Sequence, residues 1–175
     1  MKNALLVGLL TLAGCASHSC DEPGSTCRAE RLLYQNDLLQ AKILIAQADE
    51  DGYELAQALL ERSARLDKRG ETEFYQALLL IRQGPQQEEV LNLLERAADK
   101  GHPHAVAMLY RIYQQPFLIG EQQPEKAEAY RRAYAELDVA KSGYPPFEKA
   151  LEVVSQLLEP PPEAEPHAPC PSHCR

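Results

Sequence analysis

The fold is decided by residues 95–113, which read ERAADKGHPHAVAMLYRIY. On both sides of Gly101, apolar and small residues recur three or four positions apart, the spacing that places side chains on one face of an α-helix. Gly101 ends the first run. Pro103 opens the second, at a position where its missing N–H costs nothing. The alanines at positions 97, 98 and 105 lack the bulk that would keep two antiparallel helices apart. The stretch therefore predicts a close pair of helices.

The register of this junction repeats along the chain. It recurs at four glycines, Gly52, Gly70, Gly101 and Gly143. Four residues after each glycine stands an alanine or a phenylalanine, namely Ala56, Phe74, Ala105 and Phe147. Eight residues after each glycine stands a leucine, namely Leu60, Leu78, Leu109 and Leu151. A second pattern is shared by residues 56–64, 90–98 and 127–135. A two-helix unit cannot cover its own apolar face, but stacking about three such units buries a continuous core. The repeat predicts an all-α fold, an α-solenoid of about three helix-turn-helix units.

Helical spacing of the apolar residues predicts seven helices and no alternating strand. The predicted ranges are 28–48, 53–66, 71–82, 86–100, 104–114, 124–140 and 147–158. On the first of these helices, the apolar face consists of Leu32, Leu39, Ile43 and Leu44. We expect residues 28–158 to form one helical domain. Six prolines between positions 160 and 175 predict that residues 159–175 form an extended tail.

The junction resembles that between two Sel1-like repeats, a TPR-like family. The family pattern of two alanines, a glycine, an alanine, a leucine and a tyrosine matches Ala97, Ala98, Gly101, Ala105, Leu109 and Tyr113. Residues 124–131 resemble the second helix of the family. The resemblance is good over residues 86–135 and weakens over 53–85. It departs at Tyr110, where the family usually has Gly, and at Tyr134, where it has Ala. The resemblance implies a superhelical adaptor that binds other proteins, without catalysis or a cofactor.

Residues 1–14 have the pattern of an export signal. Lys2 precedes an apolar run over residues 4–13, which is too short to span a bilayer as a helix. The run ends in Leu12-Ala13-Gly14-Cys15, which closely resembles the lipobox of bacterial lipoproteins. That resemblance implies cleavage before Cys15, acylation of this cysteine with fatty acids such as palmitate, and sorting to the periplasmic face of the outer membrane. An ordinary signal peptide followed by a chance cysteine is the alternative.

Four more cysteines flank the helical region, namely Cys20, Cys27, Cys170 and Cys174. An even number of cysteines in an exported chain predicts disulfides. The pairing is either local, Cys20 with Cys27 and Cys170 with Cys174, or one of two crossed arrangements that join the linker at 15–27 to the tail. A metal site in the tail, formed by His167, Cys170, His173 and Cys174, is an alternative, although the spacing matches no established zinc module, and free thiols are another.

The charge balance narrows the classes of partner. Lys and Arg number 18 and Asp and Glu number 26, for a net charge of −8, which argues against binding nucleic acid. No serine lies in a Gly-x-Ser-x-Gly motif. His102 and His104, at a turn, are expected to be solvated, with a metal pair as the alternative. The notable basic pairs are Lys68-Arg69 and Arg131-Arg132.

These observations predict a membrane-anchored scaffold that binds another envelope protein through its helical surface, and not an enzyme. The candidate contacts are the aromatic and basic residues of the last full repeat, Tyr110, Tyr130, Arg131 and Arg132. Tyr130 is the one that the family pattern would place between helices instead, and the groove nearer residues 53–85 is the second choice. Resembling lipoproteins serve exopolysaccharide export, envelope assembly or immunity to a toxin. A metal-handling or enzymatic lipoprotein that uses the His/Cys tail is the alternative function.

Overall fold

The computed structural model describes residues 20–47, 50–84 and 86–159, and helix is the only regular secondary structure in this part of the chain. The helices are α1 (Thr26–Gln47), α2 (Glu50–Ser63), α3 (Glu71–Gln83), α4 (Gln87–Asp99), α5 (Pro103–Gln114), α6 (Pro124–Glu136), α7 (Asp138–Lys141) and α8 (Phe147–Leu158), and a 3₁₀ turn (Ala64–Leu66) extends α2. The prediction of an all-α, repeat-like fold of about seven helices is confirmed.

Helices that follow one another along the chain pack as neighbours. α1 pairs with α2, α3 with α4, and α5 with α6, while α4 also contacts α5 and α8 closes the stack against α5. α5 lies in the middle of these contacts, and its residues 105–109 are all buried, together with Ile112 and Tyr113. Stacked helix pairs of this kind bury a core that no single pair could cover.

The residues that lie four and eight positions after the repeated glycines form much of the core. The residues four and eight positions after the first three glycines are at most 1% exposed, namely Ala56, Phe74, Ala105, Leu60, Leu78 and Leu109. Phe147 and Leu151, after the fourth glycine, are half-buried against the same core. The three equivalent positions of the second pattern, Ser63, Ala97 and Tyr134, are also buried. The sequence pattern therefore selected the residues that pack inside.

The start of α3 and the end of α4 approach closely at Gly70 and Ala97. A Cβ atom on Gly70 would lie 2.6 Å from the Cα atom of Ala97 and 2.7 Å from its carbonyl oxygen. Ala97 is fully buried, whereas Ala98 is only half-buried. The small residues at the crossing are thus Gly70 and Ala97.

The predicted core face of α1 is wrong for three of its four residues. Leu32, Leu39 and Ile43 are 53%, 57% and 49% exposed, and only Leu44 packs against the core. The buried residues of α1 are Asp37, Leu38, Ala41 and Ile45. Because α1 carries apolar side chains on two faces, periodicity alone does not decide which face meets α2 and α3.

Two predicted boundaries also change. The helix expected over residues 124–140 is interrupted at Leu137, whose ψ of 143° is extended, so that α6 and α7 are separate. Gly52 lies inside α2 instead of in a junction. Gly70, Gly101 and Gly143 do end or begin helices, and each has the positive φ that glycine tolerates best.

A disulfide joins Cys20 to Cys27, with their Cα atoms 5.1 Å apart, immediately before α1 and in its first turn. This is one bond of the local pairing considered above. Arg28 donates a hydrogen bond from Nη1 to the carbonyl oxygen of Asp21 across this turn, at 2.8 Å. Cys15, Cys170 and Cys174 lie outside the described residues, as do the signal segment and the tail after Glu159. None of the described helices is long and apolar enough to cross a bilayer.

Candidate functional site

The two tyrosines predicted as exposed contacts are packed between helices. Tyr110 is half-buried and meets the ring of Phe147 edge-on, with centroids 5.0 Å apart. Tyr130 stacks on Tyr113 at 5.7 Å with nearly parallel planes, and burial raises the pKa of Tyr130 to about 12. Tyr110 therefore joins α5 to α8 and is not a free surface aromatic, whereas Tyr130 joins α6 to α5, the alternative that the sequence had left open for it. Whether they also touch a partner stays a prediction.

The two predicted arginines are on the surface of α6. Arg131 and Arg132 are both exposed. The Arg131 guanidinium lies 3.9 Å from the Glu128 carboxylate on the same helix, a pairing that contributes little in water. The structure thus keeps the arginines available while the neighbouring tyrosines are occupied, and it does not gather the four residues into one exposed patch.

A different surface combines apolar walls with exposed cations. We call it the α1–α3 groove, a cavity of about 410 Å³ between α1 and the loop that leads into α3. Its lining residues are Tyr34, Gln35, Leu38, Leu39, Lys42, Leu66, Lys68, Arg69 and Glu71. The leucines and Tyr34 supply the apolar surface. Lys68 and Arg69 lie exposed at the rim.

Asp67 holds the loop that carries these two cations. The backbone N–H groups of Arg69 and Thr72 donate to its two carboxylate oxygens, at 2.9 and 2.7 Å, and the Tyr34 hydroxyl donates to the same carboxylate at 3.4 Å. Burial raises the pKa of Asp67, but the backbone donors of Arg69 and Thr72, together with the Glu73 side chain and the charge of Lys100, outweigh this effect and hold the pKa below its ordinary value. The buried, ionised carboxylate fixes the backbone so that the side chains of Lys68 and Arg69 project outward.

The third cation of the groove is engaged inside the protein. Lys42 forms an ion pair with Glu71, and its ammonium lies 4.8 Å from the centroid of the Tyr75 ring, a favourable cation–π arrangement. This cluster joins α1 to α3 and forms one wall. Lys68 and Arg69 are therefore the cations of the groove best placed to meet a ligand.

A second cavity of about 240 Å³ lies on the other side of Tyr34 and Leu66. Arg62 spans it and donates two hydrogen bonds to the buried Asp37, from Nε at 2.6 Å and from Nη2 at 2.5 Å. The guanidinium holds the pKa of Asp37 below its ordinary value. Arg65 also lines this cavity and is exposed. Residues 62–69 thus present several cations along one edge of a chain whose net charge is −8.

His102 is a structural residue, contrary to the expectation that it is solvated. It is 8% exposed, its Nδ1 accepts a hydrogen bond from the backbone N–H of Ala105 at the start of α5, and its ring stacks on Phe74 at 4.7 Å. Burial, together with the neighbouring His104, lowers the pKa of His102 to about 3. In the part of the chain that the structure describes, no group of three or more His, Cys, Asp or Glu residues could hold a metal.

No family model matches the sequence, and neither a curated protein nor a solved structure is significantly similar to it. The Sel1-like resemblance accordingly stays a prediction that rests on residues 86–135. The sequence drew attention to Lys68 and Arg69 as a basic pair and to a groove nearer residues 53–85 as a second choice, but not to the part that α1 plays in it. Its opposite wall, Tyr34 and Leu38, comes from a helix about thirty positions earlier, and no local pattern reports that contact.

Proposed function

We propose that this protein is a scaffold lipoprotein, anchored in the outer membrane on its periplasmic side, which binds another envelope protein through its helical repeat surface and catalyses no reaction. The observation that carries the binding proposal is the α1–α3 groove, where apolar walls lie beside exposed cations in an acidic chain. The lipobox around Cys15 supports the anchor. An anchor raises the effective concentration of the module for neighbours in the same membrane.

The chemistry of the groove indicates the kind of segment that binds there. Leu38, Leu66 and the Tyr34 ring offer an apolar surface, while Lys68 and Arg69 attract carboxylates. A segment of an envelope protein that presents an apolar side chain followed by Asp or Glu fits both features. Electrostatic complementarity of this kind selects partners and accelerates association. Exopolysaccharide export, envelope assembly and toxin immunity are the systems in which resembling lipoproteins act.

Reversing the charge of the groove should abolish partner binding. A crosslinked pull-down of the lipidated protein from its own envelope identifies the partner, and titration with that purified partner then gives the dissociation constant. For the double variant Lys68→Glu, Arg69→Glu, we expect the dissociation constant to rise about 100-fold, since two attractive contacts become repulsive.

The matched control is Arg131→Glu, Arg132→Glu, which makes the same change of charge on α6. We expect this control to bind within a few-fold of the wild type. The reverse result, with binding lost only in the α6 variant, would assign the interface to the surface predicted from the sequence. Truncation after Glu159 should leave binding intact, whereas a protein that acts through its His/Cys tail would lose its activity.

The anchor is tested separately. We expect Cys15→Ser to remove the protein from the membrane fraction almost completely, because three acyl chains at about 0.8 kcal/mol per buried CH₂ make membrane binding effectively permanent. Mass spectrometry of the wild-type membrane fraction should find an acylated Cys15 and no peptide from residues 1–14. A soluble mature form that begins at another residue would contradict this prediction.

A further inference from the structure

One exposed strip along α1 is apolar except at Asn36. Its six residues are exposed: Ala29, Leu32, Asn36, Leu39, Ile43 and Ala46. We call this set the α1 stripe. Leu32, Leu39 and Ile43 are each about half exposed, and Leu33 beside them is 60% exposed. Contiguous apolar surface on a folded protein usually marks a place where something binds.

The spacing of the stripe is that of a coiled coil. Successive members are three and four residues apart, so that Ala29, Asn36 and Ile43 occupy the a positions of a heptad and Leu32, Leu39 and Ala46 the d positions. A β-branched residue at a with Leu at d favours a two-stranded parallel pair. A single Asn at an a position fixes the register at some cost in stability.

The position of α1 at the end of the stack makes this stripe unusual. The terminal unit of a solenoid normally turns a polar face to water. α8, which closes the stack against α5, follows that rule, since its exposed residues include Glu148, Lys149, Glu152 and Gln156. α1 does not, although its inner face already packs against α2 and α3.

The charges around the stripe permit two copies to meet. The heptad positions that flank it are Arg28, Gln35 and Lys42 on one edge and Leu33, Gln40 and Gln47 on the other, and Lys42 is already paired with Glu71. The carboxylates of α1, Glu30 and Asp37, lie toward the cavity on the inner side. Two chains that each carry a net charge of −8 can therefore bring their stripes together without placing carboxylates opposite one another.

We propose that the α1 stripe binds the α1 stripe of a second copy of this chain, in a parallel two-stranded coiled coil. Asn36 then faces Asn36 of the other copy and sets the register. Parallel pairing also places the N-termini of both α1 helices at the same end of the dimer. The two anchors at Cys15 can then reach one membrane, and this part of the proposal rests on the proposed function. Leu39 borders the α1–α3 groove, so the second copy would lie beside each binding groove.

The mass of the full chain in detergent micelles tests the pairing. Sedimentation equilibrium at micromolar concentration should show two chains per particle. The double variant Leu39→Lys, Ile43→Lys should raise the dimer dissociation constant more than about 100-fold, because it removes two apolar residues from each side. The matched control is Leu55→Lys, which alters a residue of α2 that is equally exposed, at 53%, and it should stay dimeric. Circular dichroism checks that all variants remain helical.

Crosslinking in intact envelopes tests the orientation. With Cys170 and Cys174 replaced by Ser, Leu32→Cys should form a covalent dimer under mild oxidation and Leu55→Cys should not. An antiparallel pair centred on the stripe would place the two Leu32 positions about 16 Å apart along the axis, at 1.5 Å per residue, and would leave Leu32→Cys uncrosslinked. That outcome would overturn the parallel pairing.

A wild-type chain that is monomeric at tens of micromolar would overturn the dimer, as would a dimer unaffected by Leu39→Lys, Ile43→Lys. Neither result bears on the groove, because Lys68→Glu, Arg69→Glu should lose partner binding and keep its mass. Loss of partner binding and failure to pair are thus read from different variants and different measurements.

Discussion

Replacing Gly70 by alanine should lower the melting temperature by about 10–20 °C. Two costs combine at this position. The φ of 75° places any Cβ atom in the left-handed region, at about 1–2 kcal/mol. The new Cβ would also lie 2.6 Å from the Cα atom of Ala97, and overpacking typically costs about 1–3 kcal/mol. Because the atoms it meets are backbone, no side-chain rotation relieves the contact. The sum is a large part of a total stability of about 5–15 kcal/mol.

Gly101→Ala is the matched control for Gly70→Ala. Gly101 has a similar φ of 81°, but a Cβ atom there would meet nothing within 4 Å. It therefore measures the backbone strain without the clash, and we expect it to lower the melting temperature by only about 3–6 °C. Equal melting temperatures for the two variants would mean that the backbone at Gly70, between α2 and α3, does not lie against Ala97 of α4.

Acidification should destabilise the protein well above the pH at which carboxylates titrate. The folded protein holds the pKa of His102 at about 3, whereas a free histidine titrates near 6.5, so the unfolded chain takes up the proton first as the pH falls. The stability contributed by neutral His102 is complete above pH 6.5 and decreases until about pH 3. Between pH 7 and pH 5 the free energy of unfolding should fall by about 2 kcal/mol, as measured by urea denaturation.

The other groups with shifted pKa values near His102 either add to its pH-dependent loss of stability or titrate below pH 5. Burial also lowers the pKa of His104, which acts in the same direction. Asp37 and Asp67 have pKa values below their ordinary 3.8, so they contribute their stability above that pH and lose it only below it. Between pH 7 and pH 5 the histidines therefore dominate.

His102→Asn is the control for the pH experiment. Asparagine keeps an acceptor at the start of α5, where it caps helices well, but it does not titrate. The variant should lose most of the pH dependence between pH 7 and pH 5, with a remainder from His104. An unchanged slope would show that His102 is not the group that destabilises the protein in acid.

The repeat register shows how much of this fold the local sequence pattern predicts. The pattern consists of a glycine, an alanine or phenylalanine four residues later, and a leucine four residues after that. In the first three units, the side chains that this pattern marks are buried. This succeeded because each feature depends on neighbours within one or two helical turns. The same logic located the ends of most helices within two residues, since glycine and proline act on the backbone next to them.

The errors share one physical cause, which is dependence on residues far away in sequence. α1 has apolar side chains on opposite faces, and only contact with α2 and α3 decides that Leu38, Ala41 and Ile45 pack inside while Leu32 and Leu39 face outward. His102 is buried because Phe74, from α3, covers its ring. Tyr110 is held by Phe147, which lies in α8.

The sequence by itself determined the helical class of this protein, the order of its helices and the small residues at their junctions, because these follow from spacing along a single segment. It also carries the sequence at Cys15 that resembles a lipobox, and the basic pair Lys68-Arg69. Only the tertiary structure decided that Tyr34 and Leu66 enclose a groove behind that pair and that one face of α1 remains uncovered. Both features arise where helices that are distant in the chain meet. The apolar periodicity of one helix does not show which other helix it contacts, so it cannot predict either feature.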